Sequence, residues 1–302
     1  SMTSGQVQVE FVSVNPTGPL HVGHARGAVF GSALSNVLSA AGYDVQREYY
    51  VNDAGFQMEL FYKSLHARYL QLHDNDTPIP DGGYVGEYPK DIAASINDEY
   101  GDIYLPMSAE DAEKAIGDHA LKRVVEDIGA DLERLRVEYD LWFRESCLFD
   151  SGRYDEAMKL IADAGYRDER DGAVWFKSSA LGEDKDNVLV RSNGTHTYFA
   201  SDIAYHYDKF EKRGFQRVIN VWGADHQGHV NRMRAAVQAL GVDPNRMELI
   251  VYQMVTFKRG SELVRASKRS GNVISISELV DEVGVDACRY FFLSRAANTQ
   301  ME

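Results

Sequence analysis

The chain has 302 residues, 44% of them hydrophobic, and 32 Lys plus Arg against 46 Asp plus Glu give a formal net charge of −14. This length suits about two domains or one large domain with insertions, and the hydrophobic fraction excludes a disordered chain. Two distant cysteines, Cys147 and Cys288, exclude a disulfide framework and a CxxC metal knuckle.

Residues 7–14 (VQVEFVSV) alternate and are β-branched, which predicts a strand. The following NPTGP, residues 15–19, cannot continue it, because Pro16 and Pro19 lack N–H donors. A helix is expected over 21–41 with Gly42 as its C-cap, then a strand over 44–51. Strand, tight loop, helix and strand in this order make a parallel-sheet unit. A helix capped by Asn52 or Asp53 is expected to reach about Leu72, followed by a polar loop over 74–89. Helices over 91–100 and 108–137 come next, the second opened by Ser108 with Asp111 three residues on. Residues 139–143 suit a short strand, and turn signals between 166 and 197 frame a β-hairpin at 174–191. A helix over 200–212, a buried strand over 216–222, a helix to about Leu240 and a strand over 248–255 follow. Residues 259–275 form a polar, basic loop, and two helices are expected from Ser277 onward. No apolar run approaches the ~20 residues of a membrane helix. The start, Ser1 to Glu10, has no signal-peptide core, so a soluble cytoplasmic protein is expected. Ser1 ahead of Met2 resembles a tag-cleavage scar, and a charge of −14 repels a polyanion unless a local basic patch or another segment meets it.

Three motifs point to chemistry. His21-Val22-Gly23-His24 opens a helix after a strand and a Pro/Gly loop. A helix N-terminus has unpaired N–H groups and partial positive charge, which suit a phosphate, and Gly23 leaves room for a ring against the backbone. The bland alternative is an ordinary helix start that happens to carry two histidines. Ser267-Lys268-Arg269-Ser270-Gly271-Asn272 is a basic, Gly-containing stretch that can close over a polyphosphate, or else a solvated loop. Gly223-Ala224-Asp225-His226 follows a buried strand, where open α/β sheets bind ligands. There Gly223 lets an adenine approach, and Asp225 accepts ribose hydroxyls or caps the next helix.

Taken together, these residues resemble a class I aminoacyl-tRNA synthetase. HVGH is similar to the HIGH motif, and RASKR, starting at Arg265, is similar to KMSKS with Arg265 in place of the first Lys and Lys268 kept. EFVSVNPTGPLHVGHARGAVFGSALSNVL, REYYVNDAGFQ, TYFASDIAYH, VINVWGADHQGH and GVDACRYFFLSR resemble arginyl-tRNA synthetases more specifically, over nearly the whole chain. The resemblance implies ATP-dependent activation of L-arginine to arginyl-adenylate and transfer to tRNA(Arg), with Mg²⁺ accompanying the ATP. It implies His21, His24 and Lys268 at the reacting phosphate, with Gly23, Gly223, Asp225, Arg265 and Ser267 around ATP. A guanidinium with five donors calls for carboxylates and carbonyl-like acceptors. By resemblance, Tyr198 and Asp202 are its partners, Glu10, Ser13 and Asn15 hold the amino group and shape the pocket, and His226 or Gln227 helps. Without the resemblance, Glu10 reads as an edge-strand charge and Tyr198 as core packing. The family's flanking N-terminal and anticodon-binding domains have no counterpart here, so a catalytic core that meets tRNA mainly through other parts, as a monomer, is expected.

The expected architecture is α/β, a Rossmann-like parallel sheet with two insertions and the start of a helical C-terminal connection. Its parts are 1–56 and 122–150 of the catalytic domain, an insertion at 57–121, and a second with the hairpin at 151–197. The catalytic domain resumes at 198–258, and 259–302 holds the KMSKS-like loop and helical connection. The rival readings are a nucleotidylyltransferase sharing the HxGH turn, an amino-acid-activating paralogue that does not charge tRNA, and a non-catalytic binding module.

Overall fold

The computed structural model describes residues 5–259, 262–264 and 274–301, so Arg265, Ser267 and Lys268 lie outside the described residues. The first part of the chain runs β1 (Gln6–Phe11), α1 (Val22–Ala40), β2 (Asp44–Val51), α2 (Phe56–Gln71), α3 (Glu87–Tyr100) and α4 (Ala109–Arg134). Then come β3 (Leu141–Arg144), α5 (Ser146–Asp150), α6 (Arg153–Asp163), β4 (Arg167–Arg170), β5 (Ala173–Phe176) and β6 (Asn187–Val190). The last part is α7 (Tyr198–Tyr207), β7 (Arg217–Gly223), α8 (Val230–Ala239), β8 (Met247–Tyr252), β9 (Phe257–Arg259), β10 (Glu262–Val264), α9 (Ile276–Val283) and α10 (Val285–Leu293).

The main sheet has the order β3-β2-β1-β7-β8, and every pairing in it is parallel. This is the expected Rossmann-like arrangement, with β1 at the centre. Alternation along β1 sends Val7, Val9 and Phe11 to one face, where they pack with Tyr49, Val51, Ile219 and Val221 under α1. That apolar cluster continues into α2, α3 and α4 through Phe61, Leu65, Ile96, Ile116 and Val124. The other face packs Tyr50, Phe143 and Val218 against Phe199, Ile203 and Tyr205 of α7 and Met233 and Ala236 of α8.

Several elements differ from the sequence reading, each for a local reason. β1 ends at Phe11 rather than residue 14, because Val12 and Ser13 take positive φ of 69° and 46°. The Tyr49 hydroxyl clamps that turn, donating to the Val14 carbonyl at 2.9 Å and accepting the Val14 N–H at 3.1 Å. The helix expected over 108–137 is present as α4, opened by Ser108, whose side chain accepts from the Asp111 N–H, and it ends three residues earlier than read. In place of a two-stranded hairpin, β4, β5 and β6 form a three-stranded antiparallel sheet. Beyond α7 the helix widens into a π turn over Asp208–Lys212, and residues 224–229 form a 3₁₀ turn before α8.

The C-terminal segment returns to the start of α1. Arg26, buried in α1, donates to the carbonyls of Gln253, Ala296 and Thr299 at 2.7–2.8 Å. The Val22 N–H donates to the Ile274 carbonyl at 3.1 Å, so the chain just beyond residue 273 is tied to the first turn of α1. No helix among the described residues is long and apolar enough to cross a membrane.

Candidate active site

Ligands of open α/β sheets bind beyond the carboxyl ends of the strands. A cavity of about 580 Å³ lies there, between the ends of β1, β2, β3 and β7, the N-terminus of α1, and α7. Its lining joins Glu10, Ser13, Asn15, His21, His24, Tyr198, Asp202, Gly223, Asp225 and His226, ten residues read from distant parts of the sequence.

One half of the cavity is acidic. Glu10 comes from β1, Glu145 from the residue after β3, and Asp202 from the middle of α7. Glu10 is no edge charge: β1 is the central strand, the side chain is buried, and Lys209 Nζ donates to its Oε2 at 2.6 Å. Burial, then the charges of Glu10 and Glu145, push the Asp202 carboxyl up to about 8. Burial and the nearby Asp53 push Glu145 up to about 7, against the favourable influence of the Ser201 side chain. Asn52, with its amide nitrogen turned toward them, donates to Glu145 Oε2 at 2.6 Å and to the Ala54 carbonyl at 3.1 Å. Tyr198 precedes Asp202 by four residues on α7, so the two share a face of the helix. Burial raises its hydroxyl, while hydrogen bonds with Asn15 and Asn52 act the other way. The Ser13 hydroxyl accepts the Tyr50 N–H at 3.0 Å, so it braces the cavity wall.

The other half is the first turn of α1. The sequence reading expects unpaired N–H groups there; the structure instead has the His21 and Gly23 N–H groups met by the two imidazoles and the Val22 N–H by the Ile274 carbonyl. The Gly23 N–H donates to His21 Nδ1 at 3.1 Å, and the His21 N–H donates to His24 Nδ1 at 3.3 Å, a reciprocal capping box. The rings stack with centroids 3.6 Å apart. An Nδ1 that accepts leaves the ring proton on Nε2 in the neutral imidazole, so Nε2–H is the donor each ring has to give. The room at Gly23 is taken by the His21 ring itself, since a Cβ there would lie 2.9 Å from two of its atoms.

The third wall is the turn after β7. At Gly223 a Cβ would meet Asp225 Oδ1 at 2.5 Å, so only glycine lets that carboxylate fold back. Asp225 does not cap the turn, which has no side-chain cap; its Oδ2 lies 3.6 Å from His226 Nε2. Gln227 is exposed and does not line the cavity, so of the pair His226 and Gln227 only His226 is brought in. His229 also lines it; burial and the neighbouring Arg232 pull its imidazole down to about 4, which keeps it neutral.

Glu145, Asn52, Tyr50, Tyr84 and His229 reach the cavity without having been singled out. Asn52 and Glu145 share one signal, a polar residue just past the end of a buried strand. Tyr84 arrives from the loop between α2 and α3, donating its hydroxyl hydrogen to Gln57 Oε1 at 2.9 Å, and nothing local in the sequence marks it.

Known structures of low identity share this fold. Thermus thermophilus arginyl-tRNA synthetase aligns with a TM-score of 0.72 at 21% identity, over 98% of this chain and 59% of that one. Mycobacterium tuberculosis methionyl-tRNA synthetase bound by methionyl-adenylate aligns at 0.62 and 13%, over 99% and 66%. The fold is therefore that of a class I aminoacyl-tRNA synthetase catalytic core. Residues 1–292 match the family described as tRNA synthetases class I (R), catalytic domain, and the chain belongs to that family. A solved structure from Campylobacter jejuni is 38% identical, with a TM-score of 0.87 over 99% of this chain and 65% of that one. The arginine–tRNA ligase of Dehalococcoides mccartyi is 54% identical over 297 residues, 98% of this chain and 53% of the relative. That of Carboxydothermus hydrogenoformans is 51% identical over the same shares. The chain spans about half the length of these curated relatives, which do not favour a nucleotidylyltransferase.

Proposed function

We propose that this chain is the catalytic portion of an arginine–tRNA ligase, activating L-arginine with ATP and passing it to tRNA(Arg). The observation that carries the reading is the pair of carboxyls, Asp202 and Glu145, held at about 8 and about 7 in one half of a single cavity. Groups raised in this way regain their charge when a cation enters, and a guanidinium is permanently charged. Asp202 and Glu145 receive the guanidinium, Tyr198 lies beside it on the same helix face, and Glu10, Ser13 and Asn15 shape the end that takes the α-amino group.

ATP lies against the first turn of α1, with Gly223 and Asp225 at its nucleoside end. In the first step an arginine carboxylate oxygen attacks the α-phosphorus, the bond to the β-phosphate oxygen breaks, and pyrophosphate leaves. His21 and His24 direct Nε2–H donors at the phosphate oxygens as charge grows on them. Arg265, Ser267 and Lys268 would add cations and a hydroxyl from the basic loop, supported by the tie of Ile274 to the first turn of α1. Mg²⁺ is taken to enter with the ATP phosphates. Among the described residues no group of three or more His, Cys, Asp or Glu could hold a metal ion. In the second step a terminal ribose hydroxyl of the tRNA attacks the arginyl carbonyl carbon and AMP leaves. The tRNA is engaged mainly by parts that the relatives have beyond the matched span, and the enzyme works in the cytoplasm as a monomer.

Calorimetric titration with each of the twenty amino acids, with and without a non-hydrolysable ATP analogue, tests the reading. L-arginine alone is expected to bind. Equal binding of lysine, or binding of ATP with no amino acid, would overturn it.

A further inference from the structure

We infer that Arg26 is a positioning residue of the nucleotide site, pinning the segment after β8 to α1 so that Met254 stands between Gly23 and Gly223 against the nucleoside. The inference rests on the nucleotide placement proposed above. That placement follows the charge within the cavity. Glu10, Glu145 and Asp202 make one half hostile to a polyanion, while the α1 half holds the imidazoles of His21 and His24. Met254 belongs to the α1 half. A Cβ on Gly23 would lie 3.6 Å from its Cε, and one on Gly223 would lie 3.3 Å from its Sδ, so the thioether spans the gap between the two turns. Met254 lines the cavity and is exposed there, a polarisable apolar surface of the kind that packs on an aromatic ring.

The backbone beside Met254 is held from α1. Arg26, two residues after His24, is almost wholly buried, and its guanidinium meets main-chain carbonyls. Nη1 donates to Gln253 at 2.7 Å and to Thr299 at 2.8 Å, and Nη2 donates to Ala296 at 2.8 Å. The Gln253 N–H donates to the Ala297 carbonyl at 2.8 Å, so both backbone groups of the residue before Met254 are taken. On the other side of Gln253, Tyr252 lies on α1 at Gly27, where a Cβ would come 2.5 Å from its Oη. Tyr252 and Met254 both line the cavity, and Gln253 between them is the point that Arg26 grips. A planar fork of fixed donors joins three carbonyls from two segments, which a single ammonium on a flexible stem does not reproduce. The acidic half is carried separately. Its carboxyls come from β1, the residue after β3, and α7, and α7 packs on the opposite face of the sheet from α1.

Calorimetry on the full chain reads L-arginine and a non-hydrolysable ATP analogue side by side. Arg26→Lys is expected to raise the Kd of the analogue at least about tenfold and to leave that of arginine within about twofold. Met254→Ala is expected to weaken the analogue about fivefold, again with arginine kept. Because Arg26 acts through Met254, the double variant should bind the analogue within about twofold of Arg26→Lys alone. Equal weakening of both ligands by Arg26→Lys, an unchanged analogue affinity in either single variant, or fully additive losses in the double variant would overturn the inference. An Arg26→Lys chain that fails to fold overturns it as well, since the clamp would then serve the whole fold rather than the site. Wild-type protein that binds arginine but not the analogue instead removes the nucleotide placement, and the inference falls with it. Wild-type protein that binds neither ligand removes the proposed function as a whole.

Discussion

The two faces of the central sheet are both buried, yet they differ in chemistry. Under α1, Val7, Val9, Phe11, Ile219 and Val221 form an apolar layer. Under α7, the alternate residues of the same strands are Gln8, Glu10, Glu48 and Asn220, all buried as well. Burial of the first set stabilises the fold directly, by roughly 1.5–3 kcal/mol per large side chain. Burial of the second set costs desolvation that its partners only offset. Glu48 accepts from Arg213 at 2.5 and 2.9 Å and from the Tyr205 hydroxyl, and Glu10 accepts from Lys209 at 2.6 Å. These buried polar groups thus add little net stability, and the apolar cluster beside them, from Tyr50 and Val218 to α7 and α8, holds the face together. The polar groups form a charged floor that runs up to the cavity, and the apolar face keeps that floor rigid.

Removing one partner on the polar face should therefore cost more than removing apolar bulk on the other. Glu48→Ala takes the acceptor of two hydrogen bonds from Arg213, leaving its ion pair with Asp208, and strands the buried Tyr205 hydroxyl; it is expected to lose about 3 kcal/mol in denaturant unfolding, against about 2 for Val9→Ala. If Glu48→Ala is milder than Val9→Ala, the two faces are not distinct in the way described.

Closer to the site, Asp202→Asn is expected to weaken arginine binding about 100- to 1000-fold, roughly 3–4 kcal/mol. The same change should not destabilise the empty protein near pH 8, because it removes a carboxyl held there against its preference. Unchanged affinity by calorimetry would take Asp202 out of the pocket. A smaller effect, about 100-fold, is expected on the rate of adenylate formation in His24→Ala, with arginine affinity kept. Pyrophosphate exchange alongside binding separates the two, and parallel losses would make His24 structural.

The smallest expected effect is on pH dependence. Asp202 and Glu145 have folded values raised above the unfolded range. The stability they contribute is therefore full below about pH 4 and is lost as pH rises through about 7 and 8. A bound guanidinium favours the ionised forms, so arginine binding releases protons. Affinity should then rise between about pH 6 and about pH 9, by at most roughly tenfold per unit for each group. Affinity that is flat, or that falls across this window, would mean the carboxyls are already charged in the empty cavity.

Much of this was legible in the chain. The alternation of residues 7–14, the loop at Asn15–Pro19 that cannot be regular, and the helix after it marked a parallel unit with His21 and His24 at its ligand end, although the strand itself stops at Phe11. Those signals are local: they depend on side-chain period and on missing N–H donors, which sequence order alone displays. The resemblance also marked Tyr198, Asp202, Glu10 and Asn15, all of which reach the cavity. Alternation says only that two faces differ, however, and the polar one normally meets water. That it is covered by α7 depends on where a helix some 190 residues further along the chain packs. For the same reason Lys209 looked like any helix lysine, and Glu145, Asn52 and Tyr84 carried no local mark. The capping of α1 by its own histidines was likewise hidden, because two rings three residues apart can face a ligand or fold back on the backbone. The sequence by itself determined the order of the main strands and helices and the residue types at the strand ends, though not every boundary: α2 starts after Gly55 and is not capped by Asn52 or Asp53. Only the tertiary structure decided which charges are buried together, because desolvation and pairing act through space between residues that the chain keeps far apart.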